Sequence, residues 1–319
     1  MSKIALLVIY NHRYDKNIPI VEELYAGKFS HIYHVIPFYD GDKENVLPVY
    51  ESSYRFQSYI AQAYRQILQR CRDYTHYFVV ADDMLLNPSV NEHNLFDKFN
   101  ISDKQCFITR YFPIKTSVHP EVFPLLYVPK MRGLETGDML PDKTTAEKIF
   151  NDYGIDTGSL NPGIVFRYAI RCLKKFVCQR HLLHILKFLK ACYFLLGNRK
   201  LKYPIVWGYS DTLIVTADVM PKFCNYCGIF SATNLFVEFA IPTALLLSGE
   251  PRRSEAERGG ASGLNKVVTE KQTGIKSIVN ISTEIRKIEE KYETNLQNIL
   301  ARYPEDILFI HPIKLSKWK

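Results

Sequence analysis

Strand-like and helical segments alternate along the first 129 residues, and this alternation limits the fold more than any other feature of the chain. Four segments are rich in aromatic and β-branched residues, as buried strands are: 3–10, 31–39, 77–80 and 105–111. Two segments between them carry apolar residues at helical spacing: 18–26 and 54–72. We therefore predict an α/β fold with a mostly parallel, mixed sheet flanked by helices.

Polar residues stand at the ends of three of these predicted strands. They are Tyr10, Asn11 and Arg13 at the first, Tyr39 and Asp40 at the second, and Asp82 and Asp83 at the third. Ligands bind parallel sheets beyond the carboxyl ends of the strands, so we expect these side chains to line one crevice. The chain has no Gly-x-Gly-x-x-Gly motif and no P-loop, which argues against the phosphate cradles that those motifs form.

The adjacent carboxylates Asp82 and Asp83 carry most of the chemical information. Like charges this close repel each other, and their burial without a partner is costly. A divalent cation would remove that cost, and hard oxygen ligands suit Mg²⁺ or Mn²⁺. Alternatively, both acids are solvated turn residues shortly before Asn87-Pro88, which is a turn signal. This segment alone leaves both interpretations open.

The composition is that of a globular protein with one large domain or two small ones. The chain has 319 residues, of which 47% are hydrophobic. We predict a cytoplasmic setting, because no secretory signal precedes the first strand and the seven cysteines lack a disulfide-like spacing. Cys224 and Cys227 are expected to be buried free thiols rather than a zinc or redox pair. No spanning helix is expected.

Positive charge is concentrated in the segment 167–202. It contains ten Lys or Arg and no Asp or Glu, whereas the whole chain carries a net charge of +8, which leaves about −2 for the rest. The segment is also very apolar and predicts one or two basic amphipathic helices, broken near Gly197. Such helices suit an anionic membrane surface. A core helix with solvated lysines is the alternative, and no nucleic-acid-binding motif accompanies the charge.

The last third of the chain combines predicted strands and helices with one polar stretch. A strand is predicted over 212–216, and a helix from Met220-Pro221, where proline suits the first turn. Residues 248–274 are rich in Gly, Ser, Glu and Arg and predict a mobile loop. Apolar residues three or four apart predict a long helix over 278–299, and a short strand follows at 307–310.

Four short motifs, in this order, resemble those of GT-A fold glycosyltransferases. They are Ala81-Asp82-Asp83 in the place of a D-x-D motif, Trp207-Gly208-Tyr209 as a glycine loop, Val237-Glu238-Phe239 as an acidic motif at a helix start, and His311 as a late metal ligand. The pattern is also similar to uncharacterised bacterial glycosyltransferases of surface-polysaccharide clusters. It covers nearly the whole chain outside the basic segment, and it implies a GT-A-like (Rossmann-like) fold with a basic helical insertion.

The resemblance implies three regions. Residues 1–129 would form the nucleotide-sugar-binding half, and 130–203 a variable region with the basic segment. Residues 204–319 would form the acceptor-binding half of the same domain.

The resemblance also implies a site for a nucleotide diphosphate sugar. Asp83 and His311 would hold Mn²⁺ or Mg²⁺, which would neutralise the charge of the leaving diphosphate. Weak metal binding is expected, because Ala81 replaces the first acid of the motif. Asp82 would contact the ribose, the donor sugar or a metal-bound water, and Lys314 would add a positive charge at the phosphates.

The same resemblance implies the remaining roles. Glu238 would be the base that takes the proton from the acceptor hydroxyl, and Asp211 is the rival base. Glu238 could instead stabilise the start of its helix. Tyr39 and Asp40 would hold the base and ribose of the donor, helped by the segment from Tyr10 to Arg13. Direct displacement by the acceptor would invert the anomeric centre.

The implied function is transfer of a sugar to a glycan or lipid-linked acceptor in the synthesis of O-antigen, capsule or lipopolysaccharide. The enzyme would work in the cytoplasm, peripherally on the inner face of the membrane, with segment 167–202 on the lipid and no nucleic acid as a partner. One alternative is a metal-dependent nucleotidyltransferase or phosphohydrolase that uses Asp82 and Asp83. A second alternative is a non-catalytic, membrane-associated binding protein.

Overall fold

The computed structural model of the chain describes residues 3–114, 139–156, 162–179, 182–196, 203–249, 266–279 and 281–318. The strands in these ranges are β1 (Ile4–Ile9), β2 (Ile32–Pro37), β3 (Val46–Val49), β4 (His76–Ala81), β5 (Leu85–Leu86), β6 (Cys106–Pro113), β7 (Val206–Thr216), β8 (Val267–Thr269), β9 (Ser277–Val279) and β10 (Phe309–His311). The α-helices are α1 (Ile18–Tyr25), α2 (Gln57–Arg70), α3 (Leu95–Phe99), α4 (Lys143–Asp152), α5 (Pro162–Gln179), α6 (Leu182–Leu196), α7 (Met220–Ala232), α8 (Val237–Ser248), α9 (Glu270–Thr273), α10 (Ser282–Tyr292) and α11 (Leu296–Ala301).

Seven strands form one mixed sheet in the order β3-β2-β1-β4-β7-β6-β8. All neighbouring pairs are parallel except those of β7, which is antiparallel to both β4 and β6. This sheet, flanked by helices, confirms the predicted α/β class. The short edge strand β3 was not predicted, because its four residues include Pro48, which weakens a strand signal.

The strand order creates a crevice beside β1. From β1 the chain adds β2 and then β3 on one side, and it then returns to place β4 on the other side of β1. A crevice opens at the carboxyl ends of the strands at such a switch point. Because Ile9 pairs with Ala81, Asn11 and Asp82 follow strands that end at the same level.

Apolar clusters cover both faces of the sheet. On one face, Leu7 belongs to a buried cluster that includes Ile60 of α2 and Leu246 of α8. On the other face, Leu6 belongs to a second cluster that includes Val21 of α1. The central strands are therefore buried on both sides, which fixes the positions of the residues that follow them.

A second, three-stranded sheet in the order β5-β10-β9 ties the end of the chain to the residues after β4. Ile310 of β10 pairs with Leu85 of β5 in antiparallel register. Just beyond this pairing, the N–H group of Ile313 donates to the carbonyl oxygen of Asp83 at 2.6 Å. This small sheet therefore places His311 next to Asp83.

The structure corrects two predictions for the last third of the chain. The predicted loop 248–274 is wrong over 267–273, where β8 forms a short edge strand and α9 follows it, while 250–265 lie outside the described residues. The predicted helix 278–299 is also wrong. Instead of one long helix, the segment contains the strand β9 followed by the helices α10 and α11. The two helices are separated at Glu293 and Thr294, where φ is +55° and +49°. The apolar spacing continues across the break because α10 and α11 pack on one cluster.

The described part of the basic segment is helical, as predicted, and contains the two helices α5 and α6. Residues 180 and 181, between the two helices, lie outside the described residues. The predicted break near Gly197 lies outside the described residues. Across the described ranges, no helix combines the length and the hydropathy needed to cross a bilayer.

Gly208 does not lie in a glycine loop, so that prediction is wrong. It lies inside β7 and pairs with Tyr111 of β6, close to a register shift between Ile108 and Arg110. A Cβ atom at this position would collide with the carbonyl oxygen of Arg110 and lie 2.9 Å from the Cα atom of Tyr111. The close approach of two strands therefore requires glycine here.

We expect Gly208→Ala to lower the free energy of unfolding by about 1–3 kcal/mol, because the methyl group has no space between the strands. Gly228→Ala is the matched control. A Cβ atom at Gly228 meets nothing within 4 Å, and alanine favours the helix α7 by up to about 1 kcal/mol. Chemical denaturation of both variants measures the difference. Equal free energies of unfolding for the two variants would show that β6 and β7 accommodate the added methyl group without loss of stability.

Candidate functional site

Asp82 connects the end of β4 to the end of β1. Its side chain is buried, and its backbone N–H donates to the carbonyl oxygen of Ile9, the last residue of β1, at 2.9 Å. Burial and the neighbouring charge of Asp83 raise the pKa of Asp82 to about 7. Asp82 therefore holds two chain segments together at the switch point.

Asp83 faces His311 across the small sheet. Its Oδ1 atom lies 3.0 Å from the His311 Nε2 atom, and 22% of the Asp83 side chain is exposed. The two atoms are within ion-pair distance but are not aligned as a hydrogen bond. Within the described residues, the buried Oδ1 atom of Asp83 and the Nδ1 atom of His311 have no hydrogen-bond partner.

Asp211 approaches the other side of the same imidazole ring. It lies in β7, and its Oδ2 atom is 3.9 Å from the Nδ1 atom of His311. Burial lowers the pKa of His311, but Asp83 and Asp211 outweigh burial and raise the pKa above its usual value. Burial raises the pKa of Asp211, and the charge of His311 opposes that shift. His311 is therefore the positive centre between two carboxylates when it is protonated.

Glu238 completes the group of acids. It lies in the first turn of α8, a helix that packs on β7, and its side chain is half-buried. Burial, followed by the charge of Asp211, raises the pKa of Glu238 to about 7. We call Asp82, Asp83, Asp211 and Glu238 the acidic cluster. Asp82, Asp83 and Asp211 have no Lys or Arg within ion-pair distance in the described chain.

The loops after β1 and β2 meet through an ion pair. The Arg13 guanidinium donates to both carboxylate oxygens of Asp40, one of them at 2.9 Å, and it also contacts Asp15. This pair lowers the pKa of Asp40. Tyr39 is half-buried beside the pair. The predicted meeting of these two strand ends is therefore present in the structure.

Two predicted site residues, Tyr10 and Gly208, have no side chain that a ligand can reach. Tyr10 is fully buried, and its hydroxyl group lies 2.9 Å from the Nδ1 atom of His34, so the predicted contact with the nucleotide does not fit. Gly208 has the structural role described above. Lys314 is exposed and follows Ile313, which is anchored to Asp83. Its position is compatible with a contact to an anion beside Asp83.

Asp83 and His311 are the residues that fit a divalent cation. A carboxylate oxygen and an imidazole nitrogen suit Mn²⁺, and the unpartnered Oδ1 atom of Asp83 is available as a ligand. Among the described residues, no three or more His, Cys, Asp or Glu side chains are grouped to hold a metal ion. A cation here would take its other ligands from water and from substrate phosphates, as Mg²⁺ commonly does.

The comparisons with known proteins do not assign the sequence to a family. No family model matches the sequence, and no curated protein has significant similarity to it.

One residue of this site was not predicted. Asn17 was overlooked, although a polar residue directly before the Ile18-Pro19 helix start is a recognisable helix-capping signal. Its side chain does not cap the helix; burial raises the pKa of Asp82, and Asn17 partly opposes that rise. The helix-capping signal could have identified Asn17 as a residue of the loop that follows β1.

Proposed function

We propose that the protein is a glycosyltransferase with a GT-A-like fold. It would move a sugar from a nucleotide diphosphate sugar to a hydroxyl group of a glycan or lipid-linked acceptor in bacterial surface-polysaccharide synthesis. The observation that carries the proposal is that Asp83, His311 and Asp211 lie side by side at the carboxyl end of β4, with Glu238 within electrostatic range of Asp211. These residues come from four separate segments of the chain, and each was assigned a role in one reaction.

The donor is proposed to lie along the carboxyl ends of β2, β1 and β4. Tyr39, Asn11 and the Arg13–Asp40 pair would hold its base and ribose, because they stand at the first two of these ends. The diphosphate would lie near Asp83, with Lys314 as a positive partner. A divalent cation bound by Asp83 and His311 would supply charge neutralisation for the leaving diphosphate.

Glu238 is the better candidate for the base. A carboxylate with a pKa of about 7 is partly deprotonated at neutral pH and strong enough to accept a hydroxyl proton. Asp211 instead lies beside His311, where its charge favours the protonated form of the ring. The acceptor oxygen would attack the anomeric carbon and its proton would pass to Glu238. The bond from that carbon to the phosphate oxygen would break and release the nucleoside diphosphate with inversion.

The reaction class is tested by incubating the protein with a panel of nucleotide sugars, with Mn²⁺ and without it, and by measuring the products. We expect slow release of nucleoside diphosphate from one donor, because water can replace the acceptor in such sites. Release of nucleoside monophosphate or of inorganic phosphate would instead indicate a phosphohydrolase. If no donor is bound or cleaved under either condition, the transferase proposal is wrong.

The base is tested with Glu238→Gln. We expect kcat to fall by about 10²–10⁴-fold, the usual contribution of a general base, while donor binding changes little. In the wild-type protein, kcat is expected to rise with pH to a plateau above about 7, because Glu238 must be deprotonated to accept the proton. Glu290→Gln, an exposed change in α10, is the control. Full activity of Glu238→Gln together with loss of activity in Asp211→Asn would reverse the two assignments.

The cation site is tested by calorimetric titration of Mn²⁺ in the presence of a nucleoside diphosphate. We expect Asp83→Asn and His311→Gln each to weaken Mn²⁺ binding by at least tenfold, because each removes one of the two protein ligands. Asp306→Asn, an exposed change elsewhere, should leave the affinity unchanged. Unaltered Mn²⁺ affinity in Asp83→Asn would show that the ion binds elsewhere.

A further inference from the structure

The helical hairpin formed by α5 and α6 exposes an unusual amount of apolar surface. Nine of the fifteen exposed large hydrophobic side chains in the described chain belong to these two helices. Leu182 is 68% exposed, Val177 is 67% exposed and Leu196 is 90% exposed. Apolar surface concentrated in this way marks an interaction site, whereas scattered apolar residues do not.

The exposed apolar residues form one continuous stripe on each helix. On α5 the stripe consists of Phe166, Ile170 and Val177, and on α6 it consists of Leu182, Leu186, Leu189 and Leu196. Their spacings of three, four or seven residues place them on one face of each helix. Other faces of the two helices pack on the protein through Val165, Ala169, Cys172 and Ala191, which belong to the buried cluster. Burial in the fold therefore does not explain the stripes.

A basic stripe runs beside the apolar stripe of α5. Arg167, Arg171 and Lys174 are exposed at helical spacing on the neighbouring face, and Lys175 is exposed next to them. No acidic residue occurs between residues 167 and 202. The hairpin therefore presents apolar side chains next to uncompensated positive charge.

We propose that the α5–α6 hairpin docks the protein on an anionic bilayer. The apolar stripes would enter the boundary between headgroups and acyl chains, and the Arg and Lys side chains would contact lipid phosphates. A second copy of the chain fits less well, because two hairpins with six positive charges each in α5 and α6 would repel. Nucleic acid would neutralise the charges but would leave the apolar stripes in water.

This inference does not depend on the proposed function, because it rests on the surface of the hairpin alone. If both hold, the hairpin would keep the site close to a lipid-linked acceptor. The apolar cluster under the hairpin also contains Val237 and Phe239, the neighbours of Glu238. Docking and the base would then be coupled through one packed core.

Vesicle co-sedimentation tests the proposal with the full chain. The vesicles contain phosphatidylcholine, either alone or with roughly one third phosphatidylglycerol, which gives the bilayer a negative surface. We expect the protein to sediment with the anionic vesicles and to stay in the supernatant with phosphatidylcholine alone. Added salt should weaken binding, because it screens the attraction. Recovery in the supernatant with both kinds of vesicle would overturn the proposal.

Two double variants separate the apolar and the charged contributions. Leu186→Ser with Leu189→Ser removes part of the apolar stripe, and Lys174→Gln with Lys175→Gln removes two charges. Each is expected to weaken partitioning by at least tenfold, because one basic residue near an anionic surface contributes about fivefold. The matched controls are Ile281→Ser for the apolar change and Lys276→Gln with Lys287→Gln for the charges, all at exposed positions. The controls should bind within about twofold of the wild type.

Two further results would contradict the proposal. Unchanged vesicle binding in the Leu186→Ser, Leu189→Ser variant would show that the apolar stripe does not enter the bilayer. A dimer in analytical ultracentrifugation that this variant dissociates, together with no lipid binding by the wild type, would assign the face to a second copy. Circular dichroism and thermal unfolding of every variant verify that the fold is kept, which is expected because all the changed side chains lie at the surface or are only half-buried.

Discussion

The pairing of β7 with β4 is the constraint on which the rest of the site depends. Its register, from His76 with Thr216 to Val80 with Thr212, brings Asp211 to the end of β4. A shift of one residue would turn every side chain of β7 to the opposite face of the sheet, Asp211 included. The close pairing with β6 at Gly208 and the packing of α8 on β7 hold that register. The same packing brings Glu238 into the electrostatic range of Asp211.

The electrostatics of the acidic cluster differ from those of the carboxylates elsewhere on the protein. At the surface, Arg13 lowers the pKa of Asp40 and Lys276 lowers the pKa of Asp306, so these acids are stabilised as anions. In the crevice, burial raises the pKa of Asp82 and of Glu238 to about 7. A fold retains such an unfavourable group only where other interactions hold it, and groups of this kind concentrate at functional sites.

The sequence allowed local structure to be predicted better than long-range contacts. Segments such as 3–10 and 54–72 have a clear hydrophobic period, and the structure confirms their types. The role of Gly208 could not be predicted, because the approach of β6 depends on pairing between segments about 100 residues apart. Asp83 and His311 were named as a pair through a family resemblance, and β10 brings them together. The burial of the Tyr10 side chain could not be predicted, because its place at a strand end does not reveal which way that side chain points.

The two proposed binding surfaces carry charges of opposite sign, so they need partners of opposite charge. The segment 167–202 holds +10 of a chain with a net charge of +8, whereas the crevice gathers four carboxylates. A phosphate-bearing donor would be repelled by that crevice unless a cation or protonated groups intervene, while an anionic bilayer would attract the hairpin. Donor binding is therefore expected to strengthen with added divalent cation, because the cation would neutralise the negative charge at Asp83.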